Sequence, residues 1–287
     1  MRGNTKSMSV NLDHLPSLRS VIDSAGLRAH KRFGQNFLLD LNLTRKIARS
    51  GGPYAGCDVV EVGPGPGGLT RALLIEGAEF IHAIELDERC CEVLLPLTNH
   101  APNLRIYNAD ATKWCYEGSK PVRIVANLPY NVGTFLLTQW LEGHSLNKDV
   151  LSYTLLFQKE VAQRITAPVK TKAYGRLAVL CQVTCKCNTL FDIPPDAFLP
   201  APKVTSTLVR LDTLPNIPDG NTLSMLGKIT RFAFGQRRKM LRKSLSPMGE
   251  AALATLAELQ IDEKMRAEDV TPQQFLSFAR LMLKHHS

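Results

Sequence analysis

The sequence predicts an α/β fold in which a doubly wound, mostly parallel sheet of seven strands precedes a small all-α C-terminal domain. From Asp58 to about Leu211, short β-branched or apolar runs alternate with helical patterns, an alternation typical of Rossmann-like sheets. After that region apolar residues recur at helical spacing and strand signals disappear. The predicted strands are Asp58–Val62, Phe80–Glu85, Leu104–Tyr107, Val122–Ala126, Leu151–Phe157, Leu177–Cys187 and Val204–Leu211.

A segment rich in turn-forming residues, 214–221, separates the two regions and predicts a linker. We therefore expect an α/β domain over residues 28–212 and a helical domain over residues 213–287. Residues 1–27 show neither repeats nor strong periodicity, and we expect them to be loosely ordered. The predicted C-terminal helices are Leu223–Phe234, Ala251–Leu259 and Phe275–Leu283.

The composition favours a folded protein with a polyanionic partner. The chain has 287 residues, 44% of them hydrophobic, and a net charge of +9, so nucleic acid is the leading candidate. No apolar run approaches the roughly 20 residues needed to cross a bilayer, and no signal peptide is apparent. We expect a cytoplasmic protein without a membrane partner. Import into an organelle is the lesser alternative, because acidic residues Asp13 and Asp23 interrupt the basic N-terminus.

Seven cysteines, an odd number without a regular framework, favour a reducing compartment over a disulfide scaffold. Cys181, Cys185 and Cys187 lie in an alternating apolar run, Leu177–Leu190, with no histidine nearby. We interpret them as buried or half-buried strand cysteines rather than metal ligands. The sequence therefore predicts no metal site.

A glycine-rich turn follows the first predicted strand. Gly63, Gly65 and Gly68 fit the spacing G-x-G-x-x-G, which lets the backbone approach a ligand where a Cβ atom would clash. Tight turns use glycine for structural reasons as well. This motif alone leaves a nucleotide-type ligand and a plain turn about equally favoured.

Two acidic residues follow the next two strands. Glu85 ends one strand at a spacing suited to ribose hydroxyls, and Asp110 follows Leu104–Tyr107. Each alone is better explained as a solvated carboxylate or a helix cap, and Asp110 with Thr112 fits a cap. Together with the glycines they favour S-adenosylmethionine. NAD fits less well, because no residue stands out as a hydride partner or proton relay.

The tetrapeptide Asn127-Leu128-Pro129-Tyr130 follows an apolar strand and should lie at the same sheet edge. The Asn127 amide oxygen and a carbonyl of Leu128 or Pro129 could accept the two hydrogens of an exocyclic amine. Pro129 would hold Leu128 extended, and Tyr130 would stack on a base that is flipped out or unpaired. The alternative is an ordinary strand-to-helix turn.

These motifs resemble those of the KsgA-type ribosomal RNA adenine dimethyltransferases, from Ala29 to about Leu283. The segment His30–Leu38 is similar to the family's N-terminal cofactor motif, and the resemblance implies that Asn36 and Leu38 contact S-adenosylmethionine. The other positions implied for this ligand had been reached from the residues themselves: they are Gly63, Glu85, Asp110 and Asn127.

Two further segments carry the resemblance. Phe198–Ser206 is similar to a family loop whose aromatic residue closes on the target adenine, which implies that Phe198 pairs with Tyr130 as a base clamp. From the sequence alone Phe198 would be a hydrophobic anchor. The basic run Phe232–Lys243 resembles the start of the family's RNA-binding domain. Phe135 stands where relatives often have proline, which affects helix initiation more than chemistry.

The resemblance implies a methyltransferase-type seven-stranded sheet and an enzyme that dimethylates N6 of two adjacent adenosines in the 3′-terminal hairpin of small-subunit ribosomal RNA. We expect a monomer that acts on a pre-assembled subunit. One alternative is the erythromycin-resistance type, which modifies large-subunit RNA. Another is a ribosome-assembly or transcription factor that keeps the fold without catalysis, and a third is an NAD oxidoreductase.

Overall fold

The computed structural model describes residues 12, 14–30, 33–143 and 149–285. Two compact units are present. The first comprises the described residues within 1–136, 145–159 and 189–210, and the second those within 137–144, 160–188 and 211–287. The expected boundary after residue 212 thus lies close to the start of the last stretch, but the second unit also includes two earlier segments.

The predicted fold class is confirmed by a seven-stranded sheet in the order β4-β3-β2-β5-β6-β9-β7. The pairs β2–β3, β2–β5, β3–β4 and β5–β6 are parallel. All five residues of β2 are buried, as expected for a central strand covered on both faces. The seven strands of the sheet are β2 (Asp58–Val62), β3 (Ile81–Glu85), β4 (Leu104–Asn108), β5 (Val122–Ala126), β6 (Val150–Gln158), β7 (Cys185–Ile193) and β9 (Ser206–Thr213).

A separate antiparallel pair joins two short strands, β1 (Phe37–Leu38) and β8 (Phe198–Leu199). Leu38 is opposite Phe198 in this pair. None of the helices among the described residues is both long and apolar enough to span a membrane. The helices are α1 (Leu18–Ser24), α2 (Leu41–Gly51), α3 (Gly68–Ile75), α4 (Glu88–Thr98), α5 (Gly133–Leu141), α6 (Lys159–Ile165), α7 (Arg176–Thr184), α8 (Gly220–Gly235), α9 (Leu241–Ser244), α10 (Glu250–Glu258) and α11 (Pro272–Lys284).

The prediction of a strand over Leu177–Cys187 is wrong. The chain forms α7 first, and β7 begins only at Cys185. Six of the nine residues of α7 are buried, and an apolar run of that length does not distinguish a buried helix from a buried strand. Cys181 is therefore a buried helix residue, whereas Cys185 and Cys187 lie in a strand as expected.

Part of the N-terminal extension is ordered, contrary to expectation. Ser17 caps α1 by accepting a hydrogen bond from the Ser20 backbone N–H at 3.1 Å. Leu18, Ile22 and Leu27 are buried, with the first two spaced one helical turn apart. Seven residues are too few to show a strong period in sequence. Residues 1–11 and 13 lie outside the described part of the chain.

The second unit has its own helical core, and its three predicted helices are confirmed as α8, α10 and α11. Tyr174, Ile229, Phe275 and Phe278 are fully buried in one cluster. The Tyr174 hydroxyl donates a hydrogen bond to the Val270 carbonyl at 2.8 Å, so even the polar atom of this buried ring has a partner. This unit is stabilised mainly by apolar burial between helices.

Candidate cofactor and substrate site

A cavity of about 240 Å³ opens where β2, β3, β4 and β5 end. In parallel α/β sheets this edge is where ligands bind. The structure brings together all the predicted cofactor residues and most of the predicted catalytic ones. Those that line the cavity are Asn36, Leu38, Gly63, Glu85, Asp110, Asn127, Pro129 and Tyr130.

The glycine-rich turn forms one wall of the cavity. Gly63 has a φ of +69°, a left-handed conformation that favours glycine, and its N–H donates to the Ile84 carbonyl at 2.9 Å. A Cβ atom on Gly68 would overlap the Leu38 backbone carbonyl oxygen. Glycine at position 68 is thus required for β1 to approach the start of α3.

The Glu85 carboxylate holds this turn. Its Oε2 accepts a hydrogen bond from the Gly65 backbone N–H at 3.0 Å, and its Oε1 accepts one from Asp87 N–H at 2.9 Å. Burial raises the pKa of Glu85, while these backbone donors oppose the shift. Each oxygen retains acceptor capacity for a ligand hydroxyl.

Asp110 lines the cavity and also closes a local turn with Thr112. Its Oδ1 accepts hydrogen bonds from the Thr112 N–H at 2.9 Å and the Thr112 hydroxyl at 2.7 Å. These bonds lower the pKa of Asp110, the hydroxyl contributing most. No helix lies between β4 and β5, a stretch that the structure describes throughout, so these bonds close a turn rather than cap a helix, and the residue also lines the cavity.

The Asn127 side chain is held by a residue of the N-terminal motif His30–Leu38. Its Nδ2 donates to the Asn36 backbone carbonyl at 2.8 Å, and the Asn36 side chain donates to the Gly34 carbonyl at 3.2 Å. Because the amide nitrogen is held in this way, the Asn127 oxygen is left as the group available to accept a hydrogen bond.

The Pro129 carbonyl is already used by the helix that follows. It accepts hydrogen bonds from the N–H groups of Val132 at 3.1 Å and Gly133 at 2.9 Å, which are among the otherwise unpaired donors of the α5 N-terminus. The sequence left Leu128 and Pro129 as alternative acceptors for an amine. The structure favours the Leu128 carbonyl.

Tyr130 presents its ring to the cavity while its hydroxyl is held elsewhere. The hydroxyl lies 2.5 Å from the hydroxyl of buried Ser206. Partial burial raises the pKa of Tyr130, so the phenol stays neutral at ordinary pH. The anchored hydroxyl leaves the flat ring as the surface that a base could contact.

Phe198 is not among the residues that line this cavity, and its pairing with Tyr130 as a base clamp stays a prediction. Its side chain is 4% exposed and belongs to a core cluster with Leu38, Val125 and Leu208. Its pairing partner Leu38 belongs to the same cluster and also lines the cavity. The aromatic residue that does line the cavity besides Tyr130 and buried Phe37 is Phe33.

Comparison with known proteins agrees with this geometry. Residues 26–284 match the family model described as ribosomal RNA adenine dimethylase. The chain belongs to the ribosomal RNA adenine dimethylase family. A ribosomal RNA small subunit methyltransferase A of Sinorhizobium medicae is 51% identical over 274 residues, covering 94% of this chain and 99% of that protein. The protein of the same name from Xanthobacter autotrophicus is 50% identical over 272 residues, covering 93% and 94%.

Solved structures show the same fold. A dimethyladenosine transferase from Plasmodium falciparum superposes with a TM-score of 0.71 at 24% identity, covering 83% of this chain and 94% of that one. The 23S rRNA methyltransferase ErmE gives a TM-score of 0.64 at 25% identity, covering 86% and 99%. A mostly parallel methyltransferase sheet in the first unit is thus established.

Sequence reasoning missed several polar residues that line the cavity, among them Glu61 and Gln35. Glu61 is 1% exposed, and its Oε2 has no hydrogen-bond partner among the described residues. Burial raises the pKa of Glu61 to about 8. Gln35 donates from Nε2 to Asp87 at 2.9 Å and accepts from the His30 N–H at 2.9 Å. The position of Glu61 two residues before Gly63 was the available signal.

In the basic run Phe232–Lys243, which resembles the family's RNA-binding segment, two arginines are already paired with other groups of the protein. Arg237 donates from Nε to Glu268 at 2.7 Å and from an Nη to the Thr171 carbonyl at 2.9 Å. Arg242 pairs with Glu263 at 3.4 Å. The run contains no acid, but the helical unit supplies carboxylates from elsewhere, so Arg237 stabilises the fold of this unit.

Proposed function

We propose that this protein transfers methyl groups from S-adenosylmethionine to the N6 atoms of two adjacent adenosines near the 3′ end of small-subunit ribosomal RNA. The observation that carries the proposal is the contact of Asn127 with the Asn36 carbonyl. This contact holds the Asn127 nitrogen and leaves its amide oxygen as an acceptor, and both Asn127 and Leu128 line the cavity. Two acceptors of this kind suit an amino group with two hydrogens.

The cofactor's chemistry fits the cavity residues. S-adenosylmethionine combines an adenosine, which needs hydroxyl acceptors and a close backbone, with a positively charged methionyl end. Glu85 and Asp110 are the carboxylates for the adenosine, and Gly63 lets the backbone approach. Asn36 and Leu38 line the remaining wall. When bound, the cofactor supplies an activated methyl group, so the protein need supply mainly alignment.

Glu61 supports a positively charged ligand group. Its buried oxygen lacks a partner among the described residues, and a buried unpaired carboxyl group is costly unless it is neutral or compensated. A cationic ligand group in the cavity would compensate it.

On the substrate side, Asn127 and Leu128 orient the amine. Their oxygens accept its hydrogens and so direct the nitrogen lone pair, which is otherwise delocalised into the adenine ring. Pro129 holds the turn and starts the following helix, and the Tyr130 ring stacks on the base. An adenine reached in this way must be unpaired or flipped out.

The choice of ribosomal subunit rests on the relatives. Proteins named for the small subunit are about half identical over nearly full length, whereas the 23S rRNA enzyme is 25% identical. The intact arrangement at Asn127 favours an enzyme over a factor that keeps only the fold. We further propose a monomer that acts on a pre-assembled small subunit in the cytoplasm.

The test is incubation of the protein with labelled S-adenosylmethionine and, in separate reactions, unmodified small subunits and unmodified large-subunit RNA, followed by mapping of the labelled bases. We expect label at N6 of two adjacent adenosines in the 3′-terminal hairpin. Label only in large-subunit RNA would transfer the assignment to the erythromycin-resistance type. No label in any RNA would favour a non-catalytic factor.

A further inference from the structure

A row of small and basic residues runs along one side of α8. Ser224, Gly227, Lys228 and Arg231 follow the spacing i, i+3, i+4 and i+7, which places them on one helix face. Gly220 extends this face by one turn. The opposite face carries the apolar residues that enter the helical core, among them Leu226 and Ile229.

This face forms one side of a groove of about 280 Å³, which we call the α8 groove. Arg176, the first residue of α7, lies on its other side. The groove is lined by Glu142, Arg176, Gly220, Ser224, Gly227, Lys228 and Arg231. Three cations against one carboxylate give this lining a net positive charge, and its small residues leave room between the long side chains.

The three cations are exposed, and none forms an ion pair with a carboxylate that the structure describes. This distinguishes the α8 groove from the basic run that follows α8, where Arg237 and Arg242 are paired with Glu268 and Glu263. A cation that is already paired gains less from a phosphate, because it must first lose its partner.

The chain on either side of Arg176 is anchored by hydrogen bonds of neighbouring residues. The hydroxyl of Tyr174, two residues earlier, is bonded to the Val270 carbonyl at 2.8 Å. Gln182, on the same helix, donates to the Ala167 carbonyl at 2.9 Å. The backbone that carries Arg176 is thus fixed on both sides, which lowers the ordering cost of a contact made there.

We infer that the α8 groove binds the phosphodiester backbone of the RNA substrate. Arginine guanidinium groups pair with phosphate oxygens in a bidentate manner, and lysine adds a point charge. The lining contains no large apolar side chain, whereas the core of a protein–protein interface is usually enriched in aromatic and aliphatic residues. The inference rests on the proposed function, because it takes ribosomal RNA as the partner.

The test compares two triple variants with the wild-type protein. The groove variant carries R176Q, K228Q and R231Q. The control variant carries K186Q, K264Q and R280Q, which removes the same charge from exposed positions of the same unit outside the groove. Binding to a labelled fragment of naked small-subunit RNA is measured by fluorescence anisotropy over a range of salt concentrations, with folding checked by circular dichroism.

We expect the groove variant to bind more weakly and its plot of log K against log salt to flatten by about 2 to 3, since each phosphate contact contributes about 0.7 to 0.9. The control should change the slope by less than about 1. If the groove variant fails to fold, each single substitution should lower the slope by about 1. Three singles without any such change would overturn the inference.

Equal slopes for the groove and control variants would also overturn it. So would a groove variant that binds naked RNA normally and loses binding only to assembled subunits, because the partner would then be a ribosomal protein. The binding assay does not depend on methyl transfer. If the wild-type protein methylates small subunits and the groove variant still binds RNA normally, the role of the α8 groove in RNA binding is refuted. The proposed function would remain intact in that case.

Discussion

The Asn127 side-chain nitrogen donates to the Asn36 backbone carbonyl at 2.8 Å across 91 positions of sequence. This bond joins the N-terminal motif to the tetrapeptide at the end of β5. It also decides which way the amide points, because the nitrogen is held and the oxygen is left for a substrate amine. The two motifs therefore form one site, and Asn36 acts on the chemistry through Asn127.

Replacement of Asn127 by alanine should reduce methyl transfer by about 10²- to 10³-fold, as removal of a preorganised polar group usually does. RNA binding should change little, since one small polar group is lost from a large basic surface. Single-turnover assays at saturating RNA measure the first effect, and anisotropy measures the second. Unchanged single-turnover rates would contradict the role of the amide. The variant Asn36→Ala keeps the backbone carbonyl that holds Asn127, so at saturating S-adenosylmethionine it should retain most of the single-turnover rate, with its loss confined to cofactor affinity.

Glu61 should make the stability of the ligand-free protein depend on pH. Its pKa in the folded protein is about 8, above its ordinary value of 4.5. The folded state therefore binds the proton more tightly, and the free energy of unfolding falls as pH rises from about 4.5 to about 8, by at most about 1.4 kcal/mol per unit. Glu61→Gln should flatten this decline in urea titrations at several pH values. A mutant with the wild-type pH profile would show that the carboxyl group is not the cause.

Phe198→Ala should destabilise the protein by about 3 to 5 kcal/mol, because a large ring is removed from a packed core. Phe198→Leu should keep the fold and most of the methyl transfer, whereas Tyr130→Ala should lose transfer with a smaller loss of stability. Chemical denaturation and single-turnover assays separate the two effects. If the stably folded Phe198→Leu protein lost activity as Tyr130→Ala does, the ring would act on the base after all.

Arg237→Ala should lower the free energy of unfolding by about 1 kcal/mol, since it removes hydrogen bonds to Glu268 and to the Thr171 carbonyl at a partly exposed site. Replacing exposed Arg238 and Lys239 by glutamine should leave stability within about 0.5 kcal/mol. Denaturant titration of the two proteins makes the comparison. Equal stability would mean that the bonds of Arg237 contribute nothing measurable. A combined substitution of all three residues would confuse folding with RNA binding.

S-adenosylhomocysteine should raise the melting temperature, and NADH should not. A ligand at 100 times its dissociation constant stabilises the folded state by about 2.7 kcal/mol, which corresponds to a shift of several degrees for a chain of this size. Differential scanning fluorimetry with each ligand provides the measurement. Stabilisation by NADH alone would overturn the cofactor assignment.

The sheet and the cofactor edge could be predicted because each depends on local sequence. Gly63, Glu85, Asp110 and Asn127 all follow apolar runs, and parallel strands bring their carboxyl ends to one edge. The three C-terminal helices were also readable from helical periodicity. These are short-range patterns, and the fold follows them.

What could not be predicted depends on packing between distant segments. Leu177–Cys187 is apolar enough for either element, and only burial on all sides of α7 decides for a helix. Phe198 is buried in one cluster with Leu38, its strand-pairing partner 160 residues away in sequence. Arg237 finds its carboxylate 31 residues further along the chain. No local pattern contains such information.

The Glu85 carboxylate accepts hydrogen bonds from the Gly65 and Asp87 N–H groups within the protein itself. The glycine-rich turn is therefore already shaped, and its conformational entropy has been lost during folding rather than at the moment of binding. Ligand binding therefore does not have to offset this loss of conformational entropy. A substitution such as Glu85→Gln would change both the contact with the ligand and the hydrogen bonds that fix the turn. Its effect on the free energy of ligand binding should therefore exceed the contribution of one hydrogen bond to a ribose hydroxyl.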